Sequence, residues 1–138
     1  MNQFKSDFLG VLAERGYIHQ ITDPEGLDAA ARAGRITAYV GYDCTADSLH
    51  VGNLVSIMML RWMQKTGHRP LPLMGGGTTK VGDPSGKDEA RKLLSEADIA
   101  RNLAAIRLCF ANYLDFDGSN GAVMVNNADW LDGLLYIP

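Results

Sequence analysis

Three stretches of the chain hold residue types that could handle a phosphorylated substrate. The first is Tyr39-Val40-Gly41-Tyr42-Asp43-Cys44-Thr45-Ala46-Asp47-Ser48-Leu49-His50-Val51-Gly52-Asn53. It leads from an apolar, β-prone run through a polar loop to the start of a helix. Open α/β sheets bind ligands at the carboxyl ends of their strands, and helix N-termini favour anions such as phosphate. There His50 can donate to a phosphate oxygen, and Gly52 lets a nucleotide come close to the backbone. A capping or core histidine is the plainer alternative, and on the residues alone it is the favoured one. The second stretch is Gly75-Gly76-Gly77-Thr78-Thr79-Lys80-Val81-Gly82-Asp83-Pro84-Ser85-Gly86-Lys87. It is not a Walker loop, because Val81 stands five before Gly86 and Asp88 follows Lys87 where Ser or Thr is required. It is not GxGxxG either, since Lys80 takes the last glycine position. A surface loop turning at Asp83-Pro84 and Ser85-Gly86 would explain part of it. Three glycines directly after a strand exceed what a turn needs and imply that something packs on the backbone. The third feature is Lys87 and Arg91, four apart. They form either a solvated basic face or a cation pair for a polyphosphate.

The elements that must position these residues follow from hydrophobic periodicity. Residues 3–15 read as an amphipathic helix with Phe4, Phe8, Leu9 and Leu12 on one face and Gly16 as its stop. A second helix starts at Asp23-Pro24, with Asp as N-cap and Pro first in the helix, and ends near Gly34. Residues 36–42 predict a buried strand. Residues 52–66 give the clearest helix, its inner face made of Val55, Met58, Met59, Trp62 and Met63. Residues 70–74 predict a second strand whose prolines confine it to the strand start or a sheet margin, or shorten it. Residues 95–114 form a helix opened by a Ser95–Asp98 capping box, with Ile99, Leu103, Ile106, Phe110 and Tyr113 inward. A third short strand spans 122–125. Strands alternating with helices define an α/β class with a parallel sheet and right-handed crossovers.

Composition narrows the class. The 138 residues suit one domain, with enough chain for a real core. Hydrophobic residues make up 46% and charged residues 21%, which argues against disorder. No apolar run approaches the roughly 20 residues of a membrane helix. A net charge of −3 argues against broad non-specific nucleic-acid binding and leaves room for a local basic patch. Cys44 and Cys109 lie far apart with no CxxC, so a zinc site is not expected and the thiols imply a reducing compartment. Cys44 lacks a nearby basic partner and is not expected to act as a nucleophile. The N-terminus has neither a secretory apolar core nor the character of a transit peptide, and the cytoplasm is the expected location.

Taken in order, the segments carry a family resemblance. Thr45-Ala46-Asp47-Ser48-Leu49-His50-Val51-Gly52-Asn53 resembles the HIGH segment of class I aminoacyl-tRNA synthetases. Gly41-Tyr42-Asp43 and Val81-Gly82-Asp83-Pro84-Ser85-Gly86-Lys87 narrow the resemblance to the tyrosyl-tRNA synthetases in their bacterial form. Asn126-Asn127-Ala128-Asp129-Trp130 is similar to that family's Asn-Asn-x-Asp-Trp segment, and the likeness covers the whole chain. The resemblance implies a Rossmann-like doubly wound parallel sheet with a HIGH-type nucleotide site, of which residues 1–138 are the N-terminal half. Residues 1–34 are a helical lead-in to the first strand.

The same resemblance implies a two-step reaction. Tyrosine and ATP give tyrosyl-adenylate and pyrophosphate, and the tyrosyl group then passes to tRNA. Magnesium arrives with ATP, and no tightly bound cofactor is expected. Catalysis is positioning and charge stabilisation of in-line attack at the α-phosphate. Tyr39 would contact the tyrosine phenol, and Gly41 would let the adenylate pass the strand end. Asp43 would hold ribose or adenylate polar groups. Thr45 and His50 would contact the ATP phosphates, and Gly52 and Asn53 the nucleoside. Thr78 and Asp83 would flank the amino acid, Asp83 taking its ammonium. Lys87 and Arg91 would lie near the departing pyrophosphate. Asn53 replaces the last His of HIGH, and its amide can still bond ribose. Cys44 stands where proline is usual, a change expected to loosen the loop. A KMSKS-like segment, the second half of the sheet with much of the dimer interface, and the anticodon-binding region lie outside the resemblance. The complete enzyme would be a homodimer without membrane attachment. The alternatives are a small adenylyltransferase of the same superfamily or a non-catalytic nucleotide-binding half-domain.

Overall fold

The computed structural model describes residues 4–81 and 94–134. Helix α1 (Asp7–Glu14) begins later than its periodicity suggests. The Ser6 hydroxyl accepts from the Leu9 N–H and so caps the helix there, leaving Phe4 outside. The same hydroxyl donates to Asp28 Oδ1 at 2.7 Å. This ties α1 to α2 (Pro24–Ala33) and holds the Asp28 carboxyl below its ordinary pKa. Gly16, with φ of 73°, ends the α1 turn in a conformation that suits glycine. Helix α2 has the Asp23 cap, the Pro24 start and the Gly34 stop that its sequence predicts.

Three parallel strands lie in the order β1-β2-β3. Strand β1 (Thr37–Tyr42) pairs with β2 (Arg69–Met74) from Thr37↔Arg69 to Tyr42↔Met74. Strand β3 (Val125–Asn126) pairs with β2 only at Leu73 and Met74. Two expectations are corrected here. Strand β1 is mostly exposed, with only Tyr42 buried, because it has β2 on one side and forms the sheet margin among the described residues. Strand β2 is central despite its prolines, and both Pro70 and Pro72 are fully buried. Parity explains this. The Arg69 N–H donates to Ile36 O, so the odd residues of β2 face β1. The carbonyls of Pro70 and Met74 accept from Val123 and Asn127, so the even residues face β3. The missing proline donors therefore point to the side where the ladder has only two rungs.

Helix α3 (Val51–Lys65) connects β1 to β2. Its buried residues are Ile57, Leu60 and Met63, and Val55 is 58% exposed rather than inward. The helix packs on two sides, which blurs a single apolar stripe. Ile57 and Leu60 join Tyr42, Met74, Ile99, Ile106 and Phe110 in the main core. Met63, with Met59 and Trp62 at the edge, meets Phe8, Leu9 and Leu12 of α1 in a second cluster. Helix α5 (Glu96–Ala111) has the Ser95–Asp98 capping box and buries Ile99, Asn102, Ile106 and Phe110. Leu103 is only half-buried and Tyr113 lies beyond the helix end. The third strand sits later than 122–125, since Ala122 and Val123 approach β2 without ladder pairing.

Candidate functional site

The loop that leaves the carboxyl end of β1 leads into α3, and His50 stands at the start of that helix. It is the N-cap of α3: its Nδ1 accepts from the Gly52 N–H at 3.0 Å. Asn53 closes the box by accepting the His50 N–H at Oδ1, 3.2 Å away. The plain capping reading of His50 therefore holds, and it leaves the ring equipped for more. An imidazole nitrogen that accepts carries no proton, so the neutral ring has its proton on Nε2. That N–H has no partner among the described residues and the side chain is exposed. The Asn53 amide NH2 is likewise unpartnered among them, while its oxygen is committed to the cap. The structure also gives Gly52 a local purpose. A Cβ there would lie 2.7 Å from His50 Cε1 and 2.8 Å from Nδ1, so only glycine leaves room for the capping ring.

The loop after β1 is held firmly. Cys44 is fully buried, its N–H donates to Thr79 Oγ1 at 3.2 Å, and its carbonyl accepts from Asn102 Nδ2 at 2.9 Å. The expected loosening by cysteine in place of proline is thus corrected: the N–H that proline lacks is used as an anchor. Burial pushes the Cys44 thiol up to about 11, in keeping with a thiol that does no nucleophilic work. Asp43 and Thr45, on either side of this anchor, are exposed. Gly41 has open space where a side chain would begin, and Tyr39 is 67% exposed on the same strand.

Helix α4 (Gly76–Val81) replaces the expected glycine loop. What packs on the glycines is the chain itself. The Gly76 N–H donates to Asn126 Oδ1 at 3.0 Å, and the Gly77 N–H to Asn127 Oδ1 at 2.7 Å. A Cβ on Gly76 would come within 2.4 Å of Asn126 Oδ1, and one on Gly77 within 3.1 Å of Ala128 Cα. The asparagines that precede α6 (Ala128–Leu131) thus cap α4 from across the sheet. The first N–H groups of α4 are therefore already occupied. Asn127 Nδ2 also donates to Thr78 Oγ1 at 3.1 Å, and that hydroxyl donates to Gly75 O. Gly75 is the meeting point of the site: its N–H donates to Tyr42 O, and a Cβ there would lie 2.8 Å from Thr78 Oγ1 and 3.5 Å from Asp43 Oδ1. At the far end of α4, Lys80 Nζ bonds Asp132 at 2.6 Å and Glu96 at 3.3 Å, and the Asp132 bond raises its pKa.

Gly41, Asp43, Thr45, His50, Gly52, Asn53 and Thr78 lie near the carboxyl ends of β1 and β2 or in the loop and helix starts that follow them, while Tyr39 sits in the first half of β1. Asp83, Lys87 and Arg91 lie outside the described residues. Sequence reasoning missed Thr79 and Asn102, which fix the first loop. An asparagine one turn from both Ile99 and Ile106, on a face otherwise apolar, was the available signal for Asn102. Among the described residues no group of three or more His, Cys, Asp or Glu could hold a metal ion.

The three parallel strands and the helices that connect them form a Rossmann-like α/β frame of the kind found in class I synthetases. Residues 31–138 match the family model described as tRNA synthetases class I (W and Y), and the chain belongs to that family. Tyrosine–tRNA ligase from Rhodospirillum rubrum is 62% identical over 135 residues, covering 97% of this chain and 32% of the relative. The Xanthobacter autotrophicus tyrosine–tRNA ligase is 64% identical, over 98% of this chain and 32% of the relative. The chain thus spans about a third of the length of the curated relatives it matches. Among solved structures, a C-terminally truncated Aspergillus nidulans mitochondrial tyrosyl-tRNA synthetase superposes with a TM-score of 0.79 at 27% identity, over 96% of this chain and 40% of that one. The corresponding Coccidioides posadasii protein gives 0.73 at 29% identity, over 96% and 38%. No helix among the described residues is long and apolar enough to cross a membrane.

Proposed function

We propose that the full-length protein is a tyrosine–tRNA ligase and that these residues form the ATP-facing wall of its site. The observation that carries the reading is the His50 ring. It is anchored through Nδ1 to the first turn of α3, and its Nε2–H is exposed and has no partner among the described residues. Such a donor, fixed before substrate arrives, stabilises charge that develops on a phosphate without reorganising.

In the first step a carboxylate oxygen of tyrosine attacks the α-phosphorus of magnesium-bound ATP. The bond from that phosphorus to the bridging oxygen breaks, and pyrophosphate leaves with the electron pair. No protein nucleophile takes part. His50 and Thr45 bind the phosphates as negative charge shifts toward the leaving group. Asp43, Gly52 and Asn53 serve the ribose and adenine, the Asn53 NH2 being the free donor. Tyr39, Gly41 and Thr78 shape the tyrosine side. Asp83 pairs with the substrate ammonium, and Lys87 and Arg91 attend the pyrophosphate. In the second step the terminal ribose hydroxyl of tRNA attacks the tyrosyl carbonyl and AMP leaves. The complete enzyme acts as a homodimer in the cytoplasm, with residues 1–138 as the N-terminal part of its catalytic domain.

The test is ATP–pyrophosphate exchange by the full-length protein. Exchange that depends on tyrosine is expected. Exchange indifferent to the amino acid supplied, or preferring tryptophan, would overturn the assignment. His50→Ala is expected to lower the exchange rate with tyrosine affinity nearly intact.

A further inference from the structure

We propose that Tyr42 is a positioning residue for His50, acting through hydrogen bonds along the first turn of α3 without touching substrate. This rests on the reading of His50 given above. Tyr42 closes β1, is buried, and meets Phe110 edge-on at 4.9 Å between ring centroids. Its hydroxyl lies 3.0 Å from Ser56 Oγ. Ser56 Oγ in turn lies 2.8 Å from the carbonyl oxygen of Asn53. A carbonyl can only accept, and serine has a single hydroxyl proton. The Ser56 proton therefore goes to Asn53, and Tyr42 must be the donor to Ser56. Asn53 then accepts the His50 N–H at its side-chain oxygen, and the His50 ring accepts from Gly52. The Tyr42 and Ser56 bonds thus converge on the backbone of Asn53, and from there the link to the imidazole runs through the Asn53 side chain and the cap it forms with His50.

The hydroxyl has no packing reason to be there. Phenylalanine would fill the same space against Phe110, and a buried hydroxyl is costly unless it is bonded. Its value is directional. Helix α3 docks on the sheet through Ile57 and Leu60, and apolar burial does not fix a helix along its own axis. A hydrogen bond within two turns of the cap does. It sets the height of the imidazole relative to β1, the strand that carries Tyr39 and Gly41. The Asn53 carbonyl, held by Ser56, cannot drift without taking the capping amide with it.

The experiment uses full-length protein and tyrosine-dependent ATP–pyrophosphate exchange. Tyr42→Phe is expected to lower kcat about threefold to tenfold, a partial misplacement of one catalytic group. The KM for tyrosine should stay within about a factor of two, since ground-state binding is untouched. Ser56→Ala breaks the same link at a half-buried helix position and should show the same loss, so a poorly folding Tyr42 variant would not blunt the test. Ser56→Thr keeps the hydroxyl and should restore the rate. The deciding arm is the double variant: in a His50→Ala background, Tyr42→Phe should cost nothing further. An unchanged kcat in Tyr42→Phe, or an equal further loss in the His50→Ala background, would overturn the proposal. A His50→Ala protein with undiminished exchange would instead overturn the reading of His50 itself.

Discussion

Gly52→Ala separates two purposes for one glycine. A nucleotide passing close to the backbone would need the missing side chain, and so does the His50 ring. The geometry favours the ring. The new methyl would stand 2.7 Å from Cε1 and 2.8 Å from Nδ1, whereas carbon atoms settle at about 3.5–4.0 Å. The imidazole must therefore move by roughly 0.7 Å or more to relieve the overlap. That movement breaks the 3.0 Å bond from the Gly52 N–H. Losing a side-chain cap costs about 1 kcal/mol. Alanine in place of glycine within a helix returns about 0.5–1 kcal/mol. The two nearly cancel, so the denaturation midpoint should shift by only about 2–4 °C at most. Catalysis has no such compensation. A reacting group displaced by this distance can lower kcat by up to about 100-fold. The assay is exchange kinetics alongside thermal unfolding on the same preparation. A large fall in kcat at nearly constant stability supports the ring. A raised KM for ATP with kcat intact would leave Gly52 serving the nucleotide alone and refute its role in seating the His50 ring.

Asn127→Ala should lower stability by about 1–3 kcal/mol, because the Gly77 N–H is left buried and unpaired. Urea titration checks this, and Asn127→Asp, which keeps the acceptor, should lose less. Thiol labelling of native protein followed by peptide mapping should modify Cys109 and spare Cys44, whose thiol is buried and raised to about 11. Prompt labelling at Cys44 would contradict its anchoring. Burial holds the His68 imidazole below its ordinary value of 6.5, so the unfolded chain takes up a proton first as pH falls. Its contribution is present above about 6.5 and is lost as pH falls toward the folded value. Stability should therefore decline from pH 7 to pH 5, and His68→Gln should flatten that part of the profile.

The legible parts of this molecule were those with a local physical signature. Helix α2 could be bounded from Asp23, Pro24 and Gly34 because caps act within one turn, and the Ser95–Asp98 box opened α5 for the same reason. His50 could be placed at a helix start on similar grounds. What escaped was set by partners distant in sequence. Gly76 and Gly77 read as part of a loop because their partners, Asn126 and Asn127, lie 50 residues on. Strand β2 looked marginal because the tolerance for its prolines depends on which neighbour each residue faces, and parity is invisible before the sheet is assembled. Tyr42 looked like one more aromatic in an apolar run, since its partner Ser56 belongs to the other side of a loop. Cys44 looked like a weakness because the bond it makes to Thr79 has no trace in its own neighbourhood.

The two prolines of β2 also bear on folding. A strand that slips by two residues keeps every side chain on its proper face, so hydrophobic pattern alone cannot reject that error. Pro70 and Pro72 can. Toward β3 they offer acceptors and no donors, and Met74 has the first N–H available on that side. If β3 slid two residues toward the start of β2, its carbonyl opposite Met74 would meet the ring of Pro72 instead. The correct pairing is thereby the one that keeps its hydrogen bonds. It is also the pairing that brings Asn126 and Asn127 level with the first turn of α4. Two fully buried prolines thus act as a stop that decides whether the asparagines that cap α4 arrive in the right place.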